Sequence, residues 1–179
     1  MTVAAALPLA LTMGEPAGIG PDVTLLAWTR RVGERLPPFH VVGSADLLMR
    51  RAARLGLDVP VRRVEPEETA AVFADALPVV DLGRDVVGEP GRLTVGDAPV
   101  VVASIERAVE EVRLGRAAAV VTNPIHKHAL YEAGFPHPGH TEFLGDLAGR
   151  FAVPIDGQPW RPVMMLAGPD LRTVPITVH

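Results

Sequence analysis

Short apolar segments alternate with longer amphipathic segments along this chain, and the alternation predicts both strands and helices. The predicted strands are Pro8–Met13, Phe39–Val42, Val59–Val64, Leu77–Asp81, Ala117–Thr122, Val163–Ala167 and Arg172–Val178. Most of these segments are apolar without interruption, which is typical of strands buried on both faces of a parallel sheet. The pattern therefore predicts an α/β protein in which helices cover a largely parallel sheet. Because Met164 and Met165 lie on one of these strands, we expect both in the core.

Helix signals fall between the predicted strands. The predicted helices are Pro21–Glu34, Ala45–Leu55, Asp97–Leu114 and Thr141–Leu147. Ser44 is a favourable N-cap for the second helix, and Gly56 suits its C-terminal end. The third has an apolar stripe formed by Val101, Ile105, Ala108 and Val112. The segments 65–77 and 83–94 carry proline, glycine and charge, and we expect loops or edge structure there.

The composition excludes several classes of function. The chain has 179 residues, a formal net charge of −4 and no cysteine. Without cysteine there is no disulfide framework, thiolate zinc site or cysteine nucleophile. The negative charge argues against a nucleic-acid surface, and the apolar N-terminus, which Pro8 interrupts, is too short to span a membrane. We therefore expect a cytoplasmic protein without nucleic-acid or membrane partners.

A glycine-rich segment, Gly14–Asp22, lies between the first predicted strand and the first predicted helix. It matches neither of the standard nucleotide fingerprints, GxGxxG and GxxxxGK[ST]. One interpretation is a loop whose backbone N–H groups bind an anion. The other is a tight turn that uses glycine for positive φ. On the second interpretation, Gly18 or Gly20 is expected to have a positive φ.

A histidine-rich segment follows the predicted strand Ala117–Thr122, at the end of the strand where open α/β folds bind ligands. Lys127 can hold a phosphate or carboxylate as a point charge. His140 and Thr141 stand at a predicted helix start, which suits an anionic or hydroxylated ligand. These three residues and His126 are therefore candidates for a binding site, with a purely structural role as the alternative.

The other two histidines of this segment, His128 and His137, are weaker candidates for a binding or metal site. Four of the six histidines fall between positions 126 and 140, yet neither of their pairs has the spacing and carboxylate partner of a zinc motif. We expect His128 and His137 to be solvated loop residues. His179 directly follows the last predicted strand, where it suits either a site or a frayed terminus.

Several segments in order resemble one enzyme family, the 4-hydroxythreonine-4-phosphate dehydrogenases. The segment Leu11–Asp22, Leu-Thr-Met-Gly-Glu-Pro-Ala-Gly-Ile-Gly-Pro-Asp, resembles the family's opening signature. Three segments resemble the family's central signature: Pro124–Lys127, Glu132–Gly134 and Gly139–Phe143. Two more resemble the next two blocks of the family: Val163–Ala167 and Thr177–His179. The resemblance runs from Leu11 to His179, and several ordered motifs are far more specific than one glycine loop.

The resemblance implies a fold, an activity and a site. The fold would be a three-layer α/β/α sandwich like that of isocitrate and isopropylmalate dehydrogenases, which bind NAD without the Rossmann fingerprint. The activity would be NAD-dependent oxidation of 4-phosphooxy-L-threonine at C3, followed by decarboxylation, in pyridoxal phosphate biosynthesis. A divalent metal (Zn, Mg or Co) polarises the substrate oxygen. The resemblance makes His140 and Thr141 substrate contacts and His179 a metal ligand, in a homodimer that shares its active sites.

The chain departs from the family in length. Family chains are about twice as long, so residues 1–179 resemble an N-terminal portion that lacks two further metal-binding histidines and several substrate contacts. We expect His140, Thr141 and His179 to converge on one cleft with Lys127 at its edge. We also expect this chain alone to be inactive, to bind metal weakly and to leave apolar surface uncovered. The alternatives are a dehydrogenase of phosphothreonate or phosphoerythronate, and a non-catalytic truncated remnant.

Overall fold

The computed structural model of the protein describes residues 6–151 and 162–175. The chain forms two compact units, residues 1–136 and residues 137–179. The boundary falls within the segment Gly-Phe-Pro-His-Pro-Gly (residues 134–139), which is rich in proline and glycine.

The first unit contains a five-stranded sheet. Its strands are β1 (Leu9–Thr12), β2 (Phe39–Gly43), β3 (Val61–Arg63), β4 (Leu77–Asp81) and β5 (Ala119–Val121). The strand order is β3-β4-β2-β1-β5, and every neighbouring pair is parallel. This confirms the predicted α/β fold with a parallel sheet. Leu11 of β1 is in register with Val121 of β5, so the carboxyl ends of these two strands lie side by side.

Six helices accompany the strands in the described residues. They are α1 (Gly20–Arg30), α2 (Ala45–Leu55), α3 (Thr69–Val72), α4 (Ala98–Arg113), α5 (Lys127–Glu132) and, in the second unit, α6 (His140–Phe151). As predicted, the Ser44 hydroxyl caps α2 by accepting from the Leu47 amide, and α2 ends at Gly56 with φ +65°. The short helices α3 and α5 were not predicted, and α3 lies in the segment 65–77 where we expected loops or edge structure.

Alternate residues of the strands face two different helical layers. Leu11, Val41 and Val79 pack with α1 and α2, where Leu25 and Leu48 are fully buried. The intervening strand residues Ala10, Val42 and Val80 pack instead against Ala108 of α4. The predicted stripe of α4 is buried at Val101, Ile105 and Ala108. The first unit is therefore a sandwich of helices, sheet and helices.

Two ionisable residues lie in the core on the α4 side of the sheet. Glu111 of α4 is fully buried and pairs with the guanidinium groups of Arg107 and Arg116. His40 of β2 is also fully buried, with its Nδ1 2.9 Å from the Thr69 hydroxyl. Burial, helped by the positive charge of Arg107, lowers the pKa of His40 to about 4. His40 is therefore neutral at physiological pH.

The last two predicted strands differ most from expectation. Among the described residues of the second unit, only β6 (Leu166–Ala167) and β7 (Arg172–Thr173) pair, as an exposed antiparallel hairpin. Met164 and Met165 precede the hairpin and are 45% and 55% exposed, so their assignment to the core was wrong. A hairpin with two residues in each strand has too little surface to bury them. Residues 176–178, which complete the predicted strand Arg172–Val178, lie outside the described residues.

The strand β5 was also expected to be buried on both faces, and this was wrong. Ala119 and Val121 are exposed, whereas Val120 between them packs towards Ala108 and Ala117 on the α4 side. The described helices cover one face of β5 and leave the other open. Among the described residues, no helix has both the length and the apolar character that a membrane crossing requires.

Candidate functional site

Asn123 joins the carboxyl ends of β1 and β5. Its backbone amide donates to the Thr12 hydroxyl at 3.0 Å, and its side-chain amide donates to the Thr12 carbonyl oxygen at 2.9 Å and the Thr24 hydroxyl at 2.8 Å. Asn123 is 5% exposed, so these bonds are shielded from water. They fix the loop after β5 against the loop after β1 and the first turns of α1.

Glycines in the β1–α1 loop (residues 13–19) and at the start of α1 make room for Asn123. A Cβ atom on Gly14 would lie 2.6 Å from the Asn123 Cβ and 2.8 Å from the Pro124 carbonyl oxygen. On Gly20 it would lie 3.1 Å from the Asn123 Cβ. Gly14 also has φ +72°, whereas neither Gly18 nor Gly20 has a positive φ. The predicted positive φ at Gly18 or Gly20 was therefore wrong, because the chain turns at Gly14 instead.

Arg51 of α2 holds the other side of this loop. Its guanidinium donates to the carbonyl oxygens of Pro16 at 2.7 Å and Gly18 at 3.1 Å, and to the Asp22 carboxylate at 2.7 Å. The Arg51 side chain is 3% exposed. A buried guanidinium that donates to three separate acceptors fixes the direction of the loop carbonyl groups. Helical spacing could have singled out Arg51, because it lies on the same face of α2 as the buried Leu47 and Leu48.

The backbone N–H groups of the loop are largely used within the protein. The amide of Glu15 donates to the Pro124 carbonyl oxygen at 2.9 Å, and that of Gly18 to the Glu15 carbonyl oxygen at 3.0 Å. The Ala17 amide donates to the Glu15 carboxylate at 3.1 Å. These three groups cannot also cradle a phosphate. Of the two interpretations of the glycine-rich segment, the structure favours the tight turn.

Glu15 is a buried carboxyl at this edge of the sheet. It is 6% exposed, and burial raises its pKa, which the Ala17 amide and nearby His126 partly offset and nearby Asp97 reinforces. Asp97 is itself buried and accepts from the amides of Val87 at 3.1 Å and Gly88 at 2.7 Å. A carboxyl with a raised pKa holds its proton more readily than an exposed one, which suits acid–base chemistry as well as a structural role.

The two candidate residues of the first unit, His126 and Lys127, begin α5. His126 is the N-cap, and its Nδ1 accepts from the Ala129 amide at 3.3 Å. This bond leaves Nε2 as the N–H donor of the neutral ring. Lys127 is the first residue of α5 and is exposed. His128 is 76% exposed as expected, but it lies on α5 rather than in a loop, 3.3 Å from Glu132.

The two candidate residues of the second unit, His140 and Thr141, form the start of α6. The Phe143 amide donates to the Gly139 carbonyl oxygen at 3.3 Å in this first turn. Phe143 and Leu147 are buried, whereas Thr141 is exposed and His140 is half-buried. The helix predicted over Thr141–Leu147 is thus confirmed and extends to Phe151.

His137 is not the solvated loop residue that we expected. Its ring lies against Phe143, with 4.9 Å between ring centroids, and its Nε2 is 3.8 Å from the Asp146 carboxylate. Its side chain is only 20% exposed, in the same half-buried class as His140. Phe143 and Asp146 of α6 thus hold the His137 ring. The spacing of residues in the sequence alone does not predict this contact.

The predicted convergence of the site residues stays a prediction. His140 and Thr141 are adjacent at the start of α6, whereas Lys127 belongs to the first unit. His179 lies outside the described residues. Within residues 6–151 and 162–175, no three histidine, aspartate or glutamate side chains form a group that could hold a metal ion. Glu15, Arg51 and Asn123 were not among the predicted site residues, although Asn123 follows a strand end where functional side chains are common.

Comparisons with known proteins identify the family. Residues 35–179 match the model of the pyridoxal phosphate biosynthetic protein PdxA. The chain is 50% identical to the 4-hydroxythreonine-4-phosphate dehydrogenase of Bradyrhizobium diazoefficiens, covering 98% of this chain and 52% of that relative. It is 49% identical to the enzyme of that name from Methylorubrum extorquens, and this match covers 96% of this chain and 49% of that relative.

A solved structure agrees with the sequence relatives. The crystal structure of a 4-hydroxythreonine-4-phosphate dehydrogenase from Burkholderia phymatum matches with a TM-score of 0.77 and 28% identity. The match covers 94% of this chain and 49% of that one. The chain thus spans about half the length of the relatives it matches, their N-terminal half. It belongs to the PdxA family, whose members include the 4-hydroxythreonine-4-phosphate dehydrogenases.

Proposed function

We propose that this chain is the N-terminal half of an enzyme that oxidises the C3 hydroxyl of 4-phosphooxy-L-threonine with NAD. Decarboxylation of the resulting β-keto acid then leads towards pyridoxine 5′-phosphate. One observation carries the proposal: relatives named for the dehydrogenase are about 50% identical over nearly the whole of this chain.

The proposed substrate contacts are His140, Thr141 and Lys127. The first turn of α6 carries the half-buried His140 and the exposed Thr141, at a helix end whose dipole favours an anion. Lys127 is exposed at the start of α5 and supplies a positive charge suited to a phosphate or carboxylate. In this proposal the three residues bind and orient a small phosphorylated substrate.

The proposed cofactors are NAD and a divalent metal ion. When bound, such a metal stabilises negative charge on the reacting oxygen. The described residues contain no group of three histidine, aspartate or glutamate side chains that could hold a metal ion, so they do not by themselves fit a metal site. We propose His179 as one ligand, with the others supplied by the half of the enzyme that this chain does not span.

Assembly and location complete the proposal. We propose a homodimer with shared active sites for the complete enzyme, and the cytoplasm as its compartment. Asn123, Arg51 and the glycines at 14 and 20 support the site indirectly, because they fix the loops from which Glu15, His126 and Lys127 project. Asn123, Arg51, Gly14 and Gly20 position the site and are not proposed to touch substrate.

A fusion protein tests the proposed substrate. Residues 1–179 are joined to the C-terminal half of the Bradyrhizobium relative, and NADH formation is followed with 4-phosphooxy-L-threonine, phosphothreonate and phosphoerythronate. We expect the highest kcat/KM with 4-phosphooxy-L-threonine, and a loss of at least about tenfold in the His140→Ala variant. The His128→Ala variant is the matched control, because His128 is exposed and outside the proposed contacts. A fusion that prefers either sugar acid would contradict the proposed substrate.

A further inference from the structure

His126 stands beside the point where the order of the strands reverses. From β1 the chain passes to the neighbouring β2, and only after α4 does it return to the other side of β1 to form β5. In open parallel sheets, ligands bind in the crevice outside the carboxyl ends of the two strands at such a reversal. Glu15 follows β1 and His126 follows β5, and the loops that carry them meet where the Glu15 amide donates to the Pro124 carbonyl oxygen at 2.9 Å. Both residues therefore belong to this crevice.

A hydrogen bond fixes both the ring of His126 and the place of its proton. Nδ1 accepts from the Ala129 amide at 3.3 Å, and a ring nitrogen that accepts carries no proton. The ring in this arrangement is therefore neutral, with its N–H at Nε2. The side chain is half-buried, and among the described residues no acceptor is bonded to Nε2. The crevice thus contains an oriented donor that the described part of the chain does not use.

The charges around this donor favour an uncharged acceptor. Glu15 is 6% exposed, and Asp97, which lies near it, is 2% exposed. Two buried carboxyl groups disfavour a phosphate or carboxylate placed beside them. Lys127, the next residue after His126, is exposed and suits the phosphate instead. In 4-phosphooxy-L-threonine the phosphate, the carboxylate and the ammonium group are charged, whereas the C3 hydroxyl is not.

We propose that the Nε2–H of His126 donates a hydrogen bond to the C3 oxygen of the substrate. This inference rests on the proposed function. The C3 oxygen is a hydroxyl before the proposed oxidation and a ketone after it, and it accepts a hydrogen bond in both forms.

The same bond gains strength in the decarboxylation. When carbon dioxide leaves, the electron pair of the broken carbon–carbon bond forms an enolate, whose negative charge lies mostly on the C3 oxygen. A fixed N–H donor at that oxygen stabilises the charge, and a neutral imidazole does so without giving up its proton. The enolate carbon then takes its proton from water. His126 is therefore a substrate contact whose effect is expected in kcat.

Two substitutions separate this contact from the role of His126 as the N-cap of α5. His126→Asn keeps a favourable N-cap with an acceptor for the Ala129 amide, but it has no donor at the position of Nε2. His126→Gln carries a donor amide as far as the position of Nε2, but it gives up the favourable cap. His128→Asn, at a position that is 76% exposed, is the control.

The variants are assayed in the fusion described above, on the substrate that the wild-type fusion prefers, because all three candidate substrates carry a C3 hydroxyl. We expect His126→Asn to lower kcat at least about tenfold with a smaller change in KM, and to leave the urea midpoint of unfolding unchanged. His126→Gln should be less stable but more active than His126→Asn. A kcat of His126→Asn equal to wild type would overturn the contact. A Gln variant less active than the Asn variant would also overturn it, because the cap would then matter more than the donor.

Nuclear magnetic resonance of the ring nitrogens gives a readout that needs no turnover. The histidines of the fusion are labelled with nitrogen-15, and the Asn variants identify the signals of His126 and His128 by their loss. We expect the Nε2–H form of His126 in the free protein, and a shift of its Nε2 signal when 4-phosphooxy-L-threonine is added without NAD. The His128 signals should not move. The Nδ1–H form, or an unchanged His126 signal at saturating substrate, would overturn the contact. A shifted signal in a fusion without dehydrogenase activity would retain the contact and reject the proposed reaction.

Discussion

The side-chain amide of Asn123 donates a 2.9 Å hydrogen bond to the backbone carbonyl oxygen of Thr12, across 111 positions of sequence. This bond links the ends of β5 and β1, the two strands whose following loops carry Glu15, His126 and Lys127. A second bond from the same amide reaches the Thr24 hydroxyl on α1. One buried side chain thus sets the relative position of two loops and a helix.

Asn123 is expected to contribute strongly to stability. Asn123→Ala removes two buried side-chain hydrogen bonds and leaves the Thr12 carbonyl oxygen with one donor fewer, which should cost about 3 kcal/mol of unfolding free energy. Asn123→Asp keeps the volume but turns acceptors towards that carbonyl oxygen, so it should also destabilise. The exposed neighbour Thr122→Ala is the control and should change stability by less than about 0.5 kcal/mol. Urea unfolding followed by the fluorescence of buried Trp28 measures each value. A loss below about 1 kcal/mol in both Asn123 variants would contradict this role.

Gly14 should tolerate substitution worse than another glycine of the same backbone conformation. Gly14→Ala adds a Cβ within 2.6 Å of the Asn123 Cβ, in addition to the strain of φ +72°. Gly83→Ala is the matched control, because Gly83 has φ +62° and open space around it. We expect Gly83→Ala to lose about 1–2 kcal/mol of unfolding free energy from backbone strain alone, and Gly14→Ala to lose clearly more. Similar losses in the two variants would show that Asn123 does not need the space at Gly14.

His40 should make stability depend on pH in the acidic range. Its pKa is about 4 in the folded protein, against an ordinary value of 6.5, so the unfolded chain takes up a proton first as pH falls. The contribution of His40 to the unfolding free energy is fully present above pH 6.5. It is lost progressively as the pH falls to about 4, by about 3 kcal/mol in total.

The variant His40→Gln cannot titrate, and its unfolding free energy should fall less steeply between pH 6.5 and 4. His128→Gln, at an exposed position, is the control and should keep the steep dependence. Denaturant unfolding at several pH values compares the three proteins. Parallel curves for wild type and His40→Gln would refute the assignment.

Glu15 should affect stability in the opposite pH direction. Its pKa is raised above 4.5 by burial, so the folded protein holds this proton longer than the unfolded chain. Stability therefore falls as pH rises through the folded pKa. Glu15→Gln keeps an oxygen for the Ala17 amide but no charge, and it should be more stable than wild type at pH 8. The exposed Glu34→Gln is the control, and a Glu15→Gln variant that is less stable at pH 8 would contradict the argument.

The local elements of the first unit could be predicted because short-range signals determine them. The Ser44 cap and the Gly56 terminus define α2, and β4 occupies the predicted residues Leu77–Asp81. The contacts of the site could not be predicted, because Asn123 meets Thr12 across 111 positions and Arg51 meets the loop across more than 30. Sequence periodicity carries no information on such pairs.

The errors concerning the burial of apolar residues share one cause. Val121, Met164 and Met165 were expected inside because their segments are apolar, yet each is more than 40% exposed. An apolar pattern reports the environment that a segment has in the complete fold, whereas this chain spans about half the length of its relatives. The prediction for His137 was wrong for a different reason, because Phe143 and Asp146 on the adjoining helix hold its ring.

The central claim is that this chain carries part of a dehydrogenase site that the other half of the enzyme completes. The most direct test is NADH formation, followed at 340 nm, from 4-phosphooxy-L-threonine, NAD and a divalent metal. The 179-residue chain and its fusion to the C-terminal half of the Bradyrhizobium relative are assayed side by side. We predict turnover by the fusion that is lost on chelation of the metal, and no rate above background for the chain alone. Turnover by the chain alone, or a folded fusion with no activity on this substrate, would contradict the claim.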